Sequence, residues 1–238
     1  MSSLAELFPL QPGASTAAQG VLSYVDGGSS MSNESRRAYA LYSLCYPPLA
    51  LLAYKLVWRG KLLRHIAYFR ASAEASGYLV DIATGDGTLT KKALFPLWGG
   101  KVQALLVLDI SKDMLAKALK KLPSDRTLFV QGDVMAPPFR QSSLRHITCF
   151  GGFNSFASGA EAMQRIAAVL APGGVMRGSV LLTPKRAWRR KAVDLFIRWG
   201  LQTEHVDFHQ FVNWVQGAGL RLVEAIRYGD VLLFEVAK

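Results

Sequence analysis

The stretch Tyr78-Leu-Val-Asp-Ile-Ala-Thr-Gly-Asp-Gly-Thr-Leu-Thr90 constrains the fold more than any other part of the chain. Tyr78 to Ile82 is a short apolar run, as expected of a strand covered on both faces. Gly85 and Gly87 let the backbone turn sharply and come close to a neighbour. A helix is expected from Thr88 to about Leu97. The same texture then recurs. Ala104 to Asp109 reads as a second buried strand, and Ser111 caps a helix from Lys112 to Lys121. Thr127 to Val130, His146 to Phe150 and Val175 to Leu182 are the third to fifth strands. A helix over Glu161 to Leu170 is expected to stop at Ala171-Pro-Gly-Gly174. Leu220 to Ile226 and Val231 to Val236 close the chain as a hairpin around Tyr228-Gly-Asp230. Strands alternating with helices predict an α/β fold: a seven-stranded, mostly parallel sheet with an antiparallel last strand and helices on both faces.

The flanking segments differ in texture. Residues 1–34 are rich in Ser, Gly and Ala and read as a flexible arm with one short helix at most. Residues 35–75 read as helices forming a lid. Ala38 to Trp58 carries a single charge, Lys55, over nearly the roughly 20 residues that a spanning helix needs. Pro47-Pro48 interrupts it, and Tyr39, Tyr42, Tyr46 and Tyr54 are scattered along it rather than gathered at its ends. Two apolar helical pieces with a Pro-Pro joint are therefore expected, not a membrane span. The predicted organisation is an arm and lid over 1–75 and one domain over 76–238. Within that domain, helices over Trp188–Leu201 and Asp207–Ala218 form an insertion at 183–218.

Composition narrows the function classes. Half of the 238 residues are hydrophobic, enough for a core without disulfides or structural metal. The two cysteines, Cys45 and Cys149, stand in no metal-ligand spacing, so no metal site is expected and a reducing compartment fits. No basic and apolar leader opens the chain, which favours a cytoplasmic location. The net charge of +11 draws anionic partners: nucleic acid, an anionic membrane surface or an acidic substrate. A generically basic surface carries the same charge.

In an open parallel sheet, ligands bind beyond the C-terminal ends of the strands. Three features fall at successive ends. The Gly85/Gly87 turn is followed by a helix with unpaired N–H groups. Asp109 ends the second strand, where a carboxylate accepts hydrogen bonds from ribose hydroxyls or simply favours a helix N-terminus. Gly132-Asp133-Val134 follows the third strand, where a carboxylate accepts from an adenine amino group or closes an Asx-turn. The coincidence of all three points to a nucleotide-like cofactor.

On these residues the chain resembles the class I S-adenosylmethionine (SAM)-dependent methyltransferases from Tyr78 to the C-terminus, and so implies a Rossmann-like fold. Within them it is similar to the ubiquinone/menaquinone biosynthesis C-methyltransferases. Asp81-Ile-Ala-Thr-Gly-Asp-Gly87 matches their Asp-x-Ala-x-Gly-x-Gly loop, with Ala83 where most class I enzymes have Gly. Gln131 to Phe139, Phe150-Gly-Gly-Phe-Asn154 and Leu170-Ala-Pro-Gly-Gly174 match three further elements. The resemblance implies SAM as cofactor and S-adenosylhomocysteine (SAH) as product. It implies that Gly85 and Gly87 approach the methionine part of SAM, with Asp81, Thr84, Thr90 and Ile110 also among the cofactor-binding residues. Asp109 would hold the ribose; Met114, Asp133 and Val134 would meet the adenine; Cys149 would line the pocket. The quinone enzymes carry Arg where this chain has Phe153.

Methyl transfer is an in-line displacement that depends mostly on placing the nucleophile about 3 Å from the methyl. Asn154 is the candidate for orienting the acceptor. Tyr39, Tyr42, Phe150 and Phe153 are candidates to line the substrate side and lid. His205 and His209 share a helical spacing but read as surface or packing residues. The leading expectation is methylation of a small, hydrophobic or aromatic, quinone-like acceptor. Lys185, Arg186, Arg189, Arg190 and Lys191 are candidates for peripheral contact with an anionic bilayer. A nucleic-acid methyltransferase and a non-catalytic SAM-binding partner are the alternatives. The oligomeric state is not indicated by the sequence.

Overall fold

The computed structural model describes residues 2–13, 15–17, 20–25, 51–74, 78–97 and 102–238. In chain order these form α1 (Ser2–Glu6), β1 (Ser15–Ala17), β2 (Val21–Ser23), α2 (51–56), α3 (Leu62–Glu74), β3 (Tyr78–Ile82) and α4 (Thr88–Leu94). Next come β4 (Ala104–Asp109), α5 (Lys112–Leu119), β5 (Thr127–Gln131), β6 (Leu144–Phe150), α6 (Gly159–Val169) and β7 (Leu170–Leu181). The chain ends with α7 (Ala187–Arg198), α8 (Phe208–Gly217), β8 (Arg221–Tyr228) and β9 (Val231–Ala237).

All nine strands share one sheet in the order β1-β2-β5-β4-β3-β6-β7-β9-β8. The pairings β2–β5, β5–β4, β4–β3, β3–β6 and β6–β7 are parallel, and β9 runs antiparallel to both β7 and β8. The seven expected strands are present with the expected antiparallel strand. The order reverses direction at β3: β4 and β5 lie to one side, β6 and β7 to the other. That switch point opens a crevice at the strand ends.

The central runs are apolar without alternation because both faces are covered. Val80, Ile82, Leu106 and Leu108 pack with Met163, Ile166, Phe211 and Trp214 of α6 and α8. Leu79, Leu105, Val107 and Phe129 pack with Phe69, Leu94, Leu115 and Ala118 of α3, α4 and α5. Each such side chain stabilises the fold by roughly 1.5–3 kcal/mol on leaving water.

Four expectations change. Residues 15–17 and 21–23 do not lie apart as an arm: β1 and β2 extend the sheet beyond β5, with Val21 buried in one core and Phe8 in the other. The helix before β7 ends at Val169 without a glycine cap. Leu170, which precedes no proline itself, turns extended and pairs with Leu144, so β7 starts there and shifts register past Gly173. Within 183–218, α7 and the segment 199–203 after it border the cavity described below, while α8 is a core helix. Most of the Pro-Pro segment, with Cys45, lies outside the described residues. No helix among the described residues is long and apolar enough to cross a membrane.

Candidate functional site

The loop after β3 is held from beneath by Asp81, which is 2% exposed. Its carboxylate accepts from the hydroxyls of Thr84 (3.0 Å), Thr90 (2.8 Å) and Thr148 (2.8 Å). Burial raises its pKa to about 6, against the lowering effect of those hydroxyls. Ala83, Gly85 and Gly87 all take positive φ, so the chain doubles back over three alternate residues. A Cβ at Gly87 would stand 3.1 Å from the Ala118 Cβ, so glycine lets α4 approach α5 closely.

Asp109 ties this loop to the end of β4. Its Oδ2 accepts from the Gly85 N–H at 2.8 Å and its Oδ1 from the Ser111 N–H at 2.9 Å. Burial pushes its pKa up, and the backbone donors work the other way. Each oxygen keeps a second lone pair, which suits a pair of vicinal hydroxyls. Asp133 closes the loop after β5 by accepting from the Met135 N–H at 2.9 Å, an Asx-turn.

These strand ends open on a cavity of about 1270 Å³. Thr84, Gly85, Asp109, Ile110, Met114, Asp133 and Val134 line one half of it. Phe150, Ser179 and Leu181 line the other half from β6 and β7, beneath residues of α2, α3 and α7. Single-ligand pockets run roughly 300–1,000 Å³, so this one has room for a cofactor and an acceptor together. The wall is predominantly apolar, with few polar atoms facing in.

The remaining candidates fall elsewhere. Asp81, Gly87, Thr90, Cys149 and Phe153 are not in the cavity wall. Thr90 points beneath the loop to Asp81, and Gly87 serves helix packing. Cys149 is fully buried, and burial together with the nearby Asp81 charge pushes its thiol pKa up, which suits no nucleophile. Phe153 is fully buried against Phe156, Trp214 and Phe234. Its ring fills the core beside α8, a place that would not solvate a guanidinium. Asn154 reaches the cavity, but its amide is spent on the backbone of β7: it donates to the Leu181 carbonyl and accepts from the Leu181 N–H, both at 2.8 Å. It therefore fixes the loop after β6 rather than presenting a free amide. Tyr39 and Tyr42 lie outside the described residues. His205 is half-exposed beside Asp194, and His209 shares a hydrogen bond with Asn213.

Several residues in or around the site take parts that the sequence did not indicate. Asp86, one of the variable positions of the glycine loop, accepts from Thr88 and is bridged by Lys121 just after α5. Burial works to raise its pKa, but the Lys121 and Thr88 contacts outweigh it and hold the carboxyl below its usual range. Arg189, expected on the surface of α7, is 6% exposed and pairs with Asp230 while donating to the Val57 carbonyl at 3.0 Å. Arg227 reaches the other Asp230 oxygen at 2.7 Å. This junction pins α2 and α7 to the β8–β9 turn. Among the described residues, no group of His, Cys, Asp or Glu is placed to hold a metal ion.

Fold and site together resemble those of the class I, SAM-dependent methyltransferases. Residues 79–174 match the family described as a methyltransferase domain. The chain is 28% identical to the ubiquinone/menaquinone biosynthesis C-methyltransferase UbiE of Pseudomonas fluorescens over 57% of its own length and 54% of that protein. It thus spans about half the length of this curated relative. Among solved structures, it is similar to the S-adenosylmethionine-dependent methyltransferase of Mesorhizobium loti (TM-score 0.56, 18% identity, 71% of this chain and 95% of that one). It is also similar to the [4+2]-cyclase SpnF (TM-score 0.63, 14% identity, 89% of this chain and 99% of that one). At such identities the likeness is one of fold. The chain resembles the ubiquinone/menaquinone C-methyltransferase branch.

Proposed function

We propose that this protein transfers the methyl group of SAM to a small, apolar, ring-bearing acceptor of quinone type. The observation that carries this reading is the Gly85–Asp109 latch opening directly onto an apolar cavity too large for one ligand. When bound, SAM supplies an electrophilic methyl on a sulfonium. Asp109 would accept the ribose hydroxyls, Gly85 would let the methionine part lie against the backbone, and Met114 and Val134 would flank the adenine. Asn154 holds the loop that frames the acceptor half. Phe150 offers its ring to an aromatic acceptor, and the predominantly apolar wall favours an apolar ligand. Residues 51–56 and α7 form the roof.

The acceptor's source follows from the rim. Trp188 on α7 and Trp199 just after it are 58% and 54% exposed among the cavity-lining residues, and Lys185, Arg186, Arg190 and Lys191 flank Trp188 in sequence. Aromatic and basic side chains together suit the surface of an anionic bilayer, from which an apolar acceptor would enter. Calorimetry with SAM tests the cofactor assignment, and absence of binding would sink the proposal. Labelled SAM incubated with a lipid extract and with the aqueous metabolite pool then tests the acceptor. Label is expected in the lipid fraction; label only in water-soluble products would refute an apolar acceptor.

A further inference from the structure

A hydroxyl acceptor must lose its proton as it attacks a methyl, and proton removal needs a base within hydrogen-bond reach. Resting on the methyltransferase reading, we infer that His65 is that base, acting on an acidic hydroxyl (a phenol or enol) of the acceptor, with Tyr54 as its positioning residue.

His65 sits on α3, one turn before Phe69, and is 6% exposed in the cavity wall. Its ring lies 5.2 Å from that of Phe150, the last residue of β6, on the half of the cavity away from the Asp109 latch. Its Nδ1 shares a 3.0 Å hydrogen bond with the Tyr54 hydroxyl, which fixes the ring's orientation. Among the described residues its buried Nε2 has no hydrogen-bond partner. Buried polar atoms are rarely left so, and an orphan in the wall of a cavity marks where a ligand's polar atom belongs. Ser179 repeats the pattern. It is the register partner of Phe150, on the same face of the sheet, and its fully buried hydroxyl also has no partner among the described residues. Two orphan polar groups thus flank the Phe150 ring, where a hydroxylated aromatic would stack.

Burial alone lowers the imidazole pKa to about 4, so the ring is neutral near pH 7 and keeps one nitrogen lone pair. We take the tautomer in which Nδ1–H donates to the Tyr54 oxygen, which leaves that lone pair on Nε2. In the step itself, the acceptor's O–H proton passes to Nε2. The electron pair left on the acceptor forms the new bond to the methyl carbon, and the pair of the breaking C–S bond stays on sulfur. The imidazolium returns its proton to water when the product leaves.

The test uses full-length protein with ¹⁵N-labelled histidine, saturated with SAH and titrated with 1-naphthol, a phenol that SAH cannot methylate. His65→Asn assigns the signal. Nε2 of His65 is expected to resonate as an unprotonated nitrogen and to move toward the hydrogen-bonded position as 1-naphthol saturates. His65→Asn and His65→Gln should weaken 1-naphthol about fivefold, the size of one neutral hydrogen bond, with SAH affinity within about twofold. Tyr54→Phe should shift the tautomer balance and raise the protonated fraction at Nε2. A protonated Nε2 in the wild-type SAH complex, or a His65 signal that 1-naphthol leaves unmoved, overturns the inference. Failure of SAH to bind wild-type protein would bring down the methyltransferase reading and this one with it. SAH binding beside a silent His65 brings down this one alone.

Discussion

Replacing Asp109 by Ala separates the two tasks of that carboxylate. In the free protein it removes the acceptor for the Gly85 and Ser111 N–H groups, held at 2.8 and 2.9 Å. A dry, unpaired N–H costs about 1–3 kcal/mol. Asp109 borders the open cavity, so water can re-pair one or both donors, and the net cost is set at roughly 1–3 kcal/mol in all. For a chain of this size that lowers Tm by roughly 2–4 °C per kcal/mol. In the complex the substitution also removes charge-assisted bonds to two ribose hydroxyls, each worth about 1.5–3 kcal/mol. Losing one such bond's worth already weakens SAM at least tenfold, and losing both approaches a thousandfold or more. Asp109→Asn, which keeps one oxygen, should fall between. Calorimetry with SAM and SAH, paired with thermal melts of the free protein, reads both effects. SAM affinity within twofold of wild type for Asp109→Ala would refute the ribose role, whatever the melt shows.

Three other outcomes follow from the same contacts. Asp230→Asn leaves the buried Arg189 guanidinium without its counter-charge and should cost about 3–5 kcal/mol, read as a clear drop in Tm. Pairing Arg189→Met with Asp230→Leu should recover most of that loss, and an Asp230→Asn protein as stable as wild type would dissolve the junction as an anchor. Asp81 has a folded pKa of about 6, above its usual 3.8, so its contribution to stability is fully present below about pH 4 and is lost as pH rises through 6. Denaturant melts should therefore show wild type losing ground to Asp81→Asn between pH 4 and 7, by on the order of 3 kcal/mol, and a flat difference would contradict the burial argument. Phe153→Arg, which restores the residue of the quinone enzymes, should destabilise by about 3–5 kcal/mol because a core ring is lost and a charge is buried. A soluble, wild-type melt for that variant would place the side chain in the cavity instead.

The sequence made the parallel sheet legible because its strands are buried on both faces and separated by glycine turns and capped helices. The placement of Asp109 and Asp133 just at or after strand ends was legible from the strands themselves, and Asp133 takes the Asx-turn that the sequence also allowed. The β1–β2 pair was not. Three-residue strands in a Ser- and Gly-rich stretch carry no periodicity, and only pairing with β5 makes them strands. Asn154 and Phe153 were misplaced for a related reason. A motif gives residue type and order, whereas the direction of each side chain is decided by Leu181 and Trp214, far away in the chain. His65 left a faint trace: with Phe69 and Ser72 it forms the buried stripe of α3, so a titratable group stands where an apolar one would otherwise be. A basic helix pattern hid it.

The junction at Asp230 has a consequence in time. Arg189 reaches back 132 positions to the Val57 carbonyl and forward 41 to Asp230. On a ribosome, the strands and turns that cradle the cofactor are made well before residue 230 emerges, and the anchor of the roof cannot form until it does. A nascent chain paused anywhere before that point would have a nucleotide crevice with no fastened cover, its apolar wall open to chaperones and water alike. The turn at residue 230 is what closes the chamber.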